Sequence, residues 1–191
     1  TRIMYLEPAN KVSTATLCIG AKAAGCEKPC LIGSGQLGMP TGRNAATKRT
    51  ILMLLRPQWF KAKLIGECTR FYRKHGDKAL VRLNGTSDLD FSEVIRALPF
   101  LKFYDYTKVL SRVRKNTLKN YDLTFSGSMY SKESRSALVK AITRGHRVAV
   151  AFNTKTMPLG FYDMDATDLR PLDPQGIVGA LTRKGSSKAT R

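Results

Sequence analysis

The sequence predicts an α/β protein with about six parallel strands, arranged as a partial or closed (βα) barrel with a cysteine-rich N-terminal loop. A doubly wound open sheet is the competing architecture. From residue 79 onward, short runs rich in β-branched and aromatic residues alternate with helix-like segments, the pattern of parallel βαβ units. The 191 residues, 42% of them hydrophobic, suffice to bury one sizeable core. No internal repeat of fixed period is visible, and only the last ten residues have the composition of a disordered segment. A single α/β domain over residues 1–181 is therefore expected, with a metal-binding loop at 16–38 and a basic flexible tail at 182–191.

Taken in order, IMYLEP (3–8) reads as a short strand closed by Pro8, and the cysteine region after it as mostly loop. From Asn44 the pattern turns helical to about Arg56. Pro57 suits the first turn of a second helix, where its missing N–H costs nothing. That helix carries Phe60, Leu64, Cys68 and Phe71 at spacings of four, four and three, while Lys61, Lys63, Arg70 and Lys74 fall elsewhere on the wheel. Cys68 thus reads as a small buried hydrophobe, with a fourth metal ligand as the alternative.

The alternation then begins. ALVRLNG (79–85) is a strand ending at Gly85, FSEVIRAL (91–98) a short helix, LKFYDYT (101–107) a strand and VLSRVRKN (109–116) a basic helix. YDLTFSGS (121–128) is a strand, KESRSALVKAITRG (132–145) a helix closed by Gly145, RVAVAF (147–152) a strand and GIVGAL (176–181) a last one. Ser131 stands at the N-cap of the longest of these helices, with Glu133 in the first turn, where the helix dipole favours an acid.

Thirty-three Lys and Arg against 14 Asp and Glu give a formal charge of +19. Solubility of a small domain asks for a net charge of only about 2 to 8. The excess points to a polyanionic partner, DNA or RNA. Lys108, Arg112, Arg114, Lys115 and Lys119 form a twelve-residue stretch without one acid. The tail adds Arg183, Lys184, Lys188 and Arg191, and the segment from Lys61 to Lys74 is also strongly basic. Tyr104, Tyr106, Tyr121 and Tyr130 lie near such charge, where stacking on bases competes with burial in the core. No apolar run reaches the roughly 18 residues of a membrane span, and the start TRIMYLEPANK lacks a secretory h-region, so a soluble intracellular protein with no membrane partner is expected.

In parallel α/β folds the working residues gather at the carboxyl ends of the strands. Those ends hold Asn84, Gly85, Thr86, Ser87 and Asp88, then Asp105, Thr107 and Lys108, then Ser126 and Ser128, then Asn153 and Lys155. The cysteine loop follows the first strand and so belongs to the same rim. Within it, Cys18 and Cys26 have seven residues between them and Cys26 and Cys30 three. In a reducing compartment clustered cysteines are more often metal ligands or catalytic groups than disulfides. Paired CxxC spacings are missing, and His75 and His146 lie far along the chain. Three thiolates suit a [4Fe-4S] cluster with one open iron; zinc with one further ligand, or unligated cysteines, are the alternatives. GSGQLG (33–38) lacks the lysine of a P-loop and reads as a flexible loop. Asp163, Asp165, Asp168 and Asp173 read as turn chemistry, with Arg170 pairing one of them, against Mg²⁺ binding as the alternative. No Ser/His/Asp arrangement is recoverable.

GCEKPCLIGSGQLG, VRLNGTSDLDF, FYDYTK, LTFSGS and DATDLRPLDPQGIVGALTRKG, in that order, resemble a family of bacteriophage proteins of the gene product 88-like type over nearly the whole chain. Where that pattern leads one to expect glycine in a DGD string, this chain has Met164. The resemblance implies a phage origin and hence the host cytoplasm during infection. A second, architectural resemblance is to radical S-adenosylmethionine enzymes, although their cysteine spacings are three and two and their Gly-Gly-Glu turn is replaced here by NGTSD. It implies that Cys18, Cys26 and Cys30 hold the cluster, that the open iron chelates S-adenosylmethionine, and that Asn84 to Asp88 contact its polar end. Two functions are thus expected in competition. One is an iron-sulfur radical-type enzyme modifying a nucleotide or nucleic acid. The other is a non-enzymatic nucleic-acid-binding protein, or an inhibitor of a host protein, with a structural metal.

Overall fold

The structure, a computed structural model, describes residues 1–8, 16–27, 30–33 and 35–182. Seven parallel strands form one sheet: β1 (Arg2–Ile3), β2 (Leu80–Arg82), β3 (Lys102–Thr107), β4 (Tyr121–Gly127), β5 (Val148–Ala151), β6 (Tyr162–Asp163) and β7 (Val178–Leu181). Their order is β1-β2-β3-β4-β5-β7-β6. The first five follow chain order, the winding of a partial barrel. The sheet stays open, because β1 and β6 end it as edges of two residues each, and the closed form of the expected barrel is ruled out. The helices are α1 (Gly35–Gly38), α2 (Pro40–Leu55), α3 (Pro57–His75), α4 (Ser92–Arg96), α5 (Leu110–Lys115) and α6 (Lys132–Thr143).

Most elements fall where the sequence places them, and the departures have local causes. The first strand stops at Ile3, although Met4 still donates to Arg82 O at 2.8 Å and accepts from Gly85 N at 3.0 Å. α2 starts at Pro40 rather than Asn44, because Pro40 itself serves as a first-turn residue. The GSGQLG run contains the single turn α1. β6 was not expected: two exposed residues carry no periodicity to read.

The described residues divide into two compact units. The first draws on Thr1–Cys18, Leu31–Asp105 and Thr117–Asp122, the second on Ile19–Cys30, Tyr106–Asn116 and Leu123–Arg191. In the first unit, α3 buries Phe60 and Cys68 and half-buries Leu64 and Phe71, the stripe expected from their spacing. It ends at Gly76, φ +56°, after Arg73, Lys74 and His75, basic residues that complement the carboxyl end of the helix dipole. Val81, Leu83, Phe91, Ile95, Leu101 and Phe103 are buried in the same unit.

In the second unit Phe125, Leu138, Ala141, Val148 and Val150 form one apolar cluster, with Leu110 and Val113 of α5 packed against it. Leu138 and Ala141 are three apart, so α6 lays one face on that cluster. Its start is fixed by a capping box in which the Ser131 hydroxyl accepts from Ser134 N and the Ser134 hydroxyl accepts from Ser131 N. Beside β7, Met164 is buried and seats over Gly179, where any Cβ would lie 2.5 Å from its side chain. A bulky residue at 164 is thus matched by the absence of one at 179.

Two buried arginines share one aspartate here. Arg170 Nη1 lies 2.9 Å from Asp173 Oδ2, and Arg170 Nη2 donates to Met164 O at 2.9 Å. Arg147 donates through Nε to Thr124 Oγ1 and through Nη1 to Asp173 O, both at 2.9 Å. Burial, partly offset by Asp173, lowers the Arg147 pKa. This cluster ties β4, the residue before β5 and the 170–173 segment together, and it uses Asp173 in the structural pairing with Arg170 expected from the sequence. Asp163 Oδ1 accepts from Asp165 N and Ala166 N, and Asp165 accepts from Thr182, so these acids do turn and linking work too.

Candidate functional site

Two strand ends hold polar groups worth chemical attention, one in each unit. In the first, β2 runs into Asn84–Asp88. The Asn84 side-chain oxygen accepts from Ser87 Oγ at 2.9 Å and Leu89 N at 2.8 Å, while its amide nitrogen donates to Leu89 O at 3.0 Å and Asp105 Oδ2 at 3.3 Å. An asparagine amide has two donors and two acceptor positions, and all four are used within this network. Thr86 is likewise committed to Leu6 O, Gly85 N to Met4 O and Asp88 N to Leu17 O. Asn84 and Thr86 therefore brace the loop with their side chains.

Asp105 lies beneath that loop and is fully buried. Besides Asn84 Nδ2, it accepts from Asn84 N at 2.8 Å and from the Tyr121 hydroxyl at 3.1 Å. Burial pushes its pKa up to about 6 against the opposing pull of Arg82 and these hydrogen bonds. Glu7, in the same unit and also buried, accepts from Thr47 Oγ1 at 3.0 Å, and its Oε2 has no hydrogen-bond partner among the described residues. Nothing in the sequence singles out Glu7, which stands between Leu6 and Pro8.

The second strand end is more open. A cavity of about 180 Å³ is walled by Gly20, Ala23 and Ala24 of a turn, by Lys108 just after β3, and by Phe125, Ser126 and Ser128 at the end of β4. The first turns of α6 close it with Glu133, Ser134 and Ala137. Lys108 Nζ donates to Ser126 Oγ at 2.9 Å. Ser128 Oγ donates to Ala24 O at 2.8 Å and accepts from Tyr130 N, which pins the turn to the strand end. Gly20 is required there, since a Cβ would stand 2.4 Å from Lys108 Cβ. Glu133 is exposed; its own backbone N–H and the Ser131 hydroxyl hold its pKa below the usual carboxylate value.

Three of the expected rim residues, Lys108, Ser126 and Ser128, thus come together. Asn153 and Lys155 are exposed in the turn after β5 and line no part of this cavity. Gly20, Ala23 and Ala24 also line it, small residues that no motif in the sequence distinguishes. Cys18, Cys26 and Cys30 are half-buried, and Cys26 Sγ donates to Ala21 O at 3.6 Å. Among the described residues no group of three or more His, Cys, Asp or Glu is arranged to hold a metal ion. Burial raises the Cys68 pKa to about 11, as its place on the apolar stripe requires.

The positive charge concentrates on helices. Between residues 40 and 75, α2, α3 and the Arg56 that joins them carry nine Lys or Arg against one acid, Glu67. Eight of the nine are exposed; the ninth, Lys61, is half-buried and pairs with Glu93. Trp59, half exposed on the first turn of α3, has Lys63 Nζ at 6.0 Å from its ring centroid. On α5, Leu110 and Val113 face the core, which leaves Arg114 and Lys115 exposed and Arg112 half-buried. Lys119 is exposed, whereas Arg183, Lys184 and Lys188 lie outside the described residues. Tyr104 and Tyr121 are buried, while Tyr130 is exposed. Among the described residues no helix is long and apolar enough to cross a membrane.

These features define an open parallel α/β protein with strongly basic helical surfaces. The family model described as gene product 88 matches residues 2–191, and the chain belongs to that family of phage proteins. Neither the curated proteins nor the solved structures compared with it include a match. The architectural likeness to radical S-adenosylmethionine enzymes gains no support from these comparisons.

Proposed function

We propose that this phage protein binds nucleic acid through its phosphates, using the exposed basic residues of α2 and α3 as one surface and those of α5 as another. The excess over residues 40–75, nine cations against one acid, carries this reading. A compact fold gains nothing from self-repulsion of that size, whereas a polyanion converts it into affinity by releasing condensed counterions. Trp59 adds a half-exposed ring on α3, where a base can stack.

Salt dependence tests it. If about five cations engage phosphates, the slope of log K against log salt is about −4.5 on duplex and about −3.5 on a single strand, and duplex affinity falls roughly 500-fold between 50 and 200 mM salt. Fluorescence anisotropy with a labelled mixed-sequence 30-mer, single-stranded and duplex, reads this directly. Replacing Arg70, Arg73 and Lys74 together by glutamine should make the slope shallower by about 2.7. Binding that stays flat with salt, or none at 50 mM, overturns the proposal.

A further inference from the structure

We propose that the cavity at the carboxyl end of β4 receives the terminal phosphate of a nucleic-acid strand, so that the protein prefers strand ends. This inference rests on the phosphate-binding reading above and adds specificity to it. Its centre is the Lys108–Ser126 pair. Because the Ser126 oxygen accepts from the Lys108 ammonium at 2.9 Å, its own proton remains to be donated to a ligand oxygen. An ammonium and a hydroxyl that line one cavity form a donor pair for an oxyanion.

The rest of the lining, mostly small apolar side chains, leaves room for a small end group. Ala23, Ala24, Ala137 and Phe125 present no competing charge, so a charge-assisted hydrogen bond made among them is less weakened by water than one on the open surface. About 180 Å³ far exceeds the roughly 15 Å³ that one water requires, and it is walled on three sides by the 20–24 turn, β4 and α6. Such a recess suits an end group better than an internal phosphodiester, which needs an open channel for two ester arms. The amino end of α6 is not itself the donor set, because Ser131 and Glu133 already cap it. Glu133 is an opposing charge in the lining, but it is exposed, where solvent and salt screen it.

The chain also connects this recess to the tracking surface. α5 begins two residues after Lys108, and its inward Leu110 and Val113 direct Arg114 and Lys115 outward. A strand whose end phosphate sits at Lys108 would pass its next phosphates to α5.

Four matched 20-mers test the idea by anisotropy at 100 mM salt: a 3′-labelled strand with a 5′-phosphate or 5′-hydroxyl, and a 5′-labelled strand with a 3′-phosphate or 3′-hydroxyl. The wild type should bind one phosphorylated end at least tenfold more tightly than its hydroxyl counterpart. Lys108→Met should reduce that ratio to below twofold. Ser126→Ala provides a second variant should the first fail to fold, and circular dichroism reports folding for both. Replacing Arg112, Arg114 and Lys115 by alanine should weaken phosphorylated and hydroxyl ends alike and keep the ratio.

A wild type that binds with the expected salt slope but ignores phosphorylation at both ends overturns the end-binding inference and leaves the broader proposal standing. Loss of salt-dependent binding altogether overturns both. If millimolar inorganic phosphate raises the melting temperature while strand-end phosphorylation changes nothing, the cavity is a free-phosphate site and the inference is likewise overturned.

Discussion

Replacing Asp105 by asparagine should remove a specific part of the pH dependence of stability. Asp105 is fully buried in β3, and burial moves its pKa from 3.8 to about 6 despite Arg82 and hydrogen bonds from Asn84 and Tyr121. The folded state therefore holds this proton more tightly than the unfolded chain. Its stabilising contribution is fully present below about pH 4 and is lost as pH rises through about 6. A difference of roughly two pH units corresponds to about 3 kcal/mol at 1.36 kcal/mol each. Asparagine cannot ionise and contributes no such slope. It also places an NH₂ group against the Asn84 amide, a donor facing a donor, but that cost is the same at every pH. Urea unfolding of both proteins at pH 4 and pH 7.5 isolates the effect, because the remaining carboxylates titrate alike in each. The wild-type stability minus that of Asp105→Asn should fall by about 3 kcal/mol between the two pH values. A difference that is flat, or that grows with pH, refutes the assignment of a raised pKa to this buried carboxyl.

Asp173→Ala should cost about 3 to 5 kcal/mol in the same denaturation assay, since it leaves the buried Arg170 guanidinium without its counter-charge; a loss below about 1 kcal/mol would show that the pair is not what holds this segment. Cys68→Ala should cost about 1 kcal/mol and should remove the slowest phase of thiol titration at pH 8, because a thiol with a pKa near 11 is almost never a thiolate there. Persistence of that phase in the variant would place the protected thiol elsewhere.

Periodicity and punctuation were enough for much of the architecture. Phe60, Leu64, Cys68 and Phe71 return at helical spacing, so the inward face of α3 could be read without knowing what it packs against. The alternation after residue 79 announced a parallel sheet, since strands that recur after intervening helices return in the same direction. Charge is a property of composition, and the basic runs on α3 and α5 were visible as strings.

Closure of the sheet was not legible, because it depends on whether the edge strands meet, and β1 and β6 are too short to leave a pattern. The fate of polar groups was equally hidden. Asn84 and Ser126 both follow or end a strand and look alike as candidates, yet Asn84 uses every amide position on Ser87, Leu89 and Asp105, while Ser126 accepts from Lys108 and lines a cavity. The difference lies in partners distant in sequence: Asp105 is 21 residues from Asn84, and Lys108 is 18 residues from Ser126. Hydrogen-bond satisfaction is set by three-dimensional neighbours, so the sequence by itself determined which elements form and how they are charged, and the tertiary structure alone decided which of their polar ends remain available to a ligand.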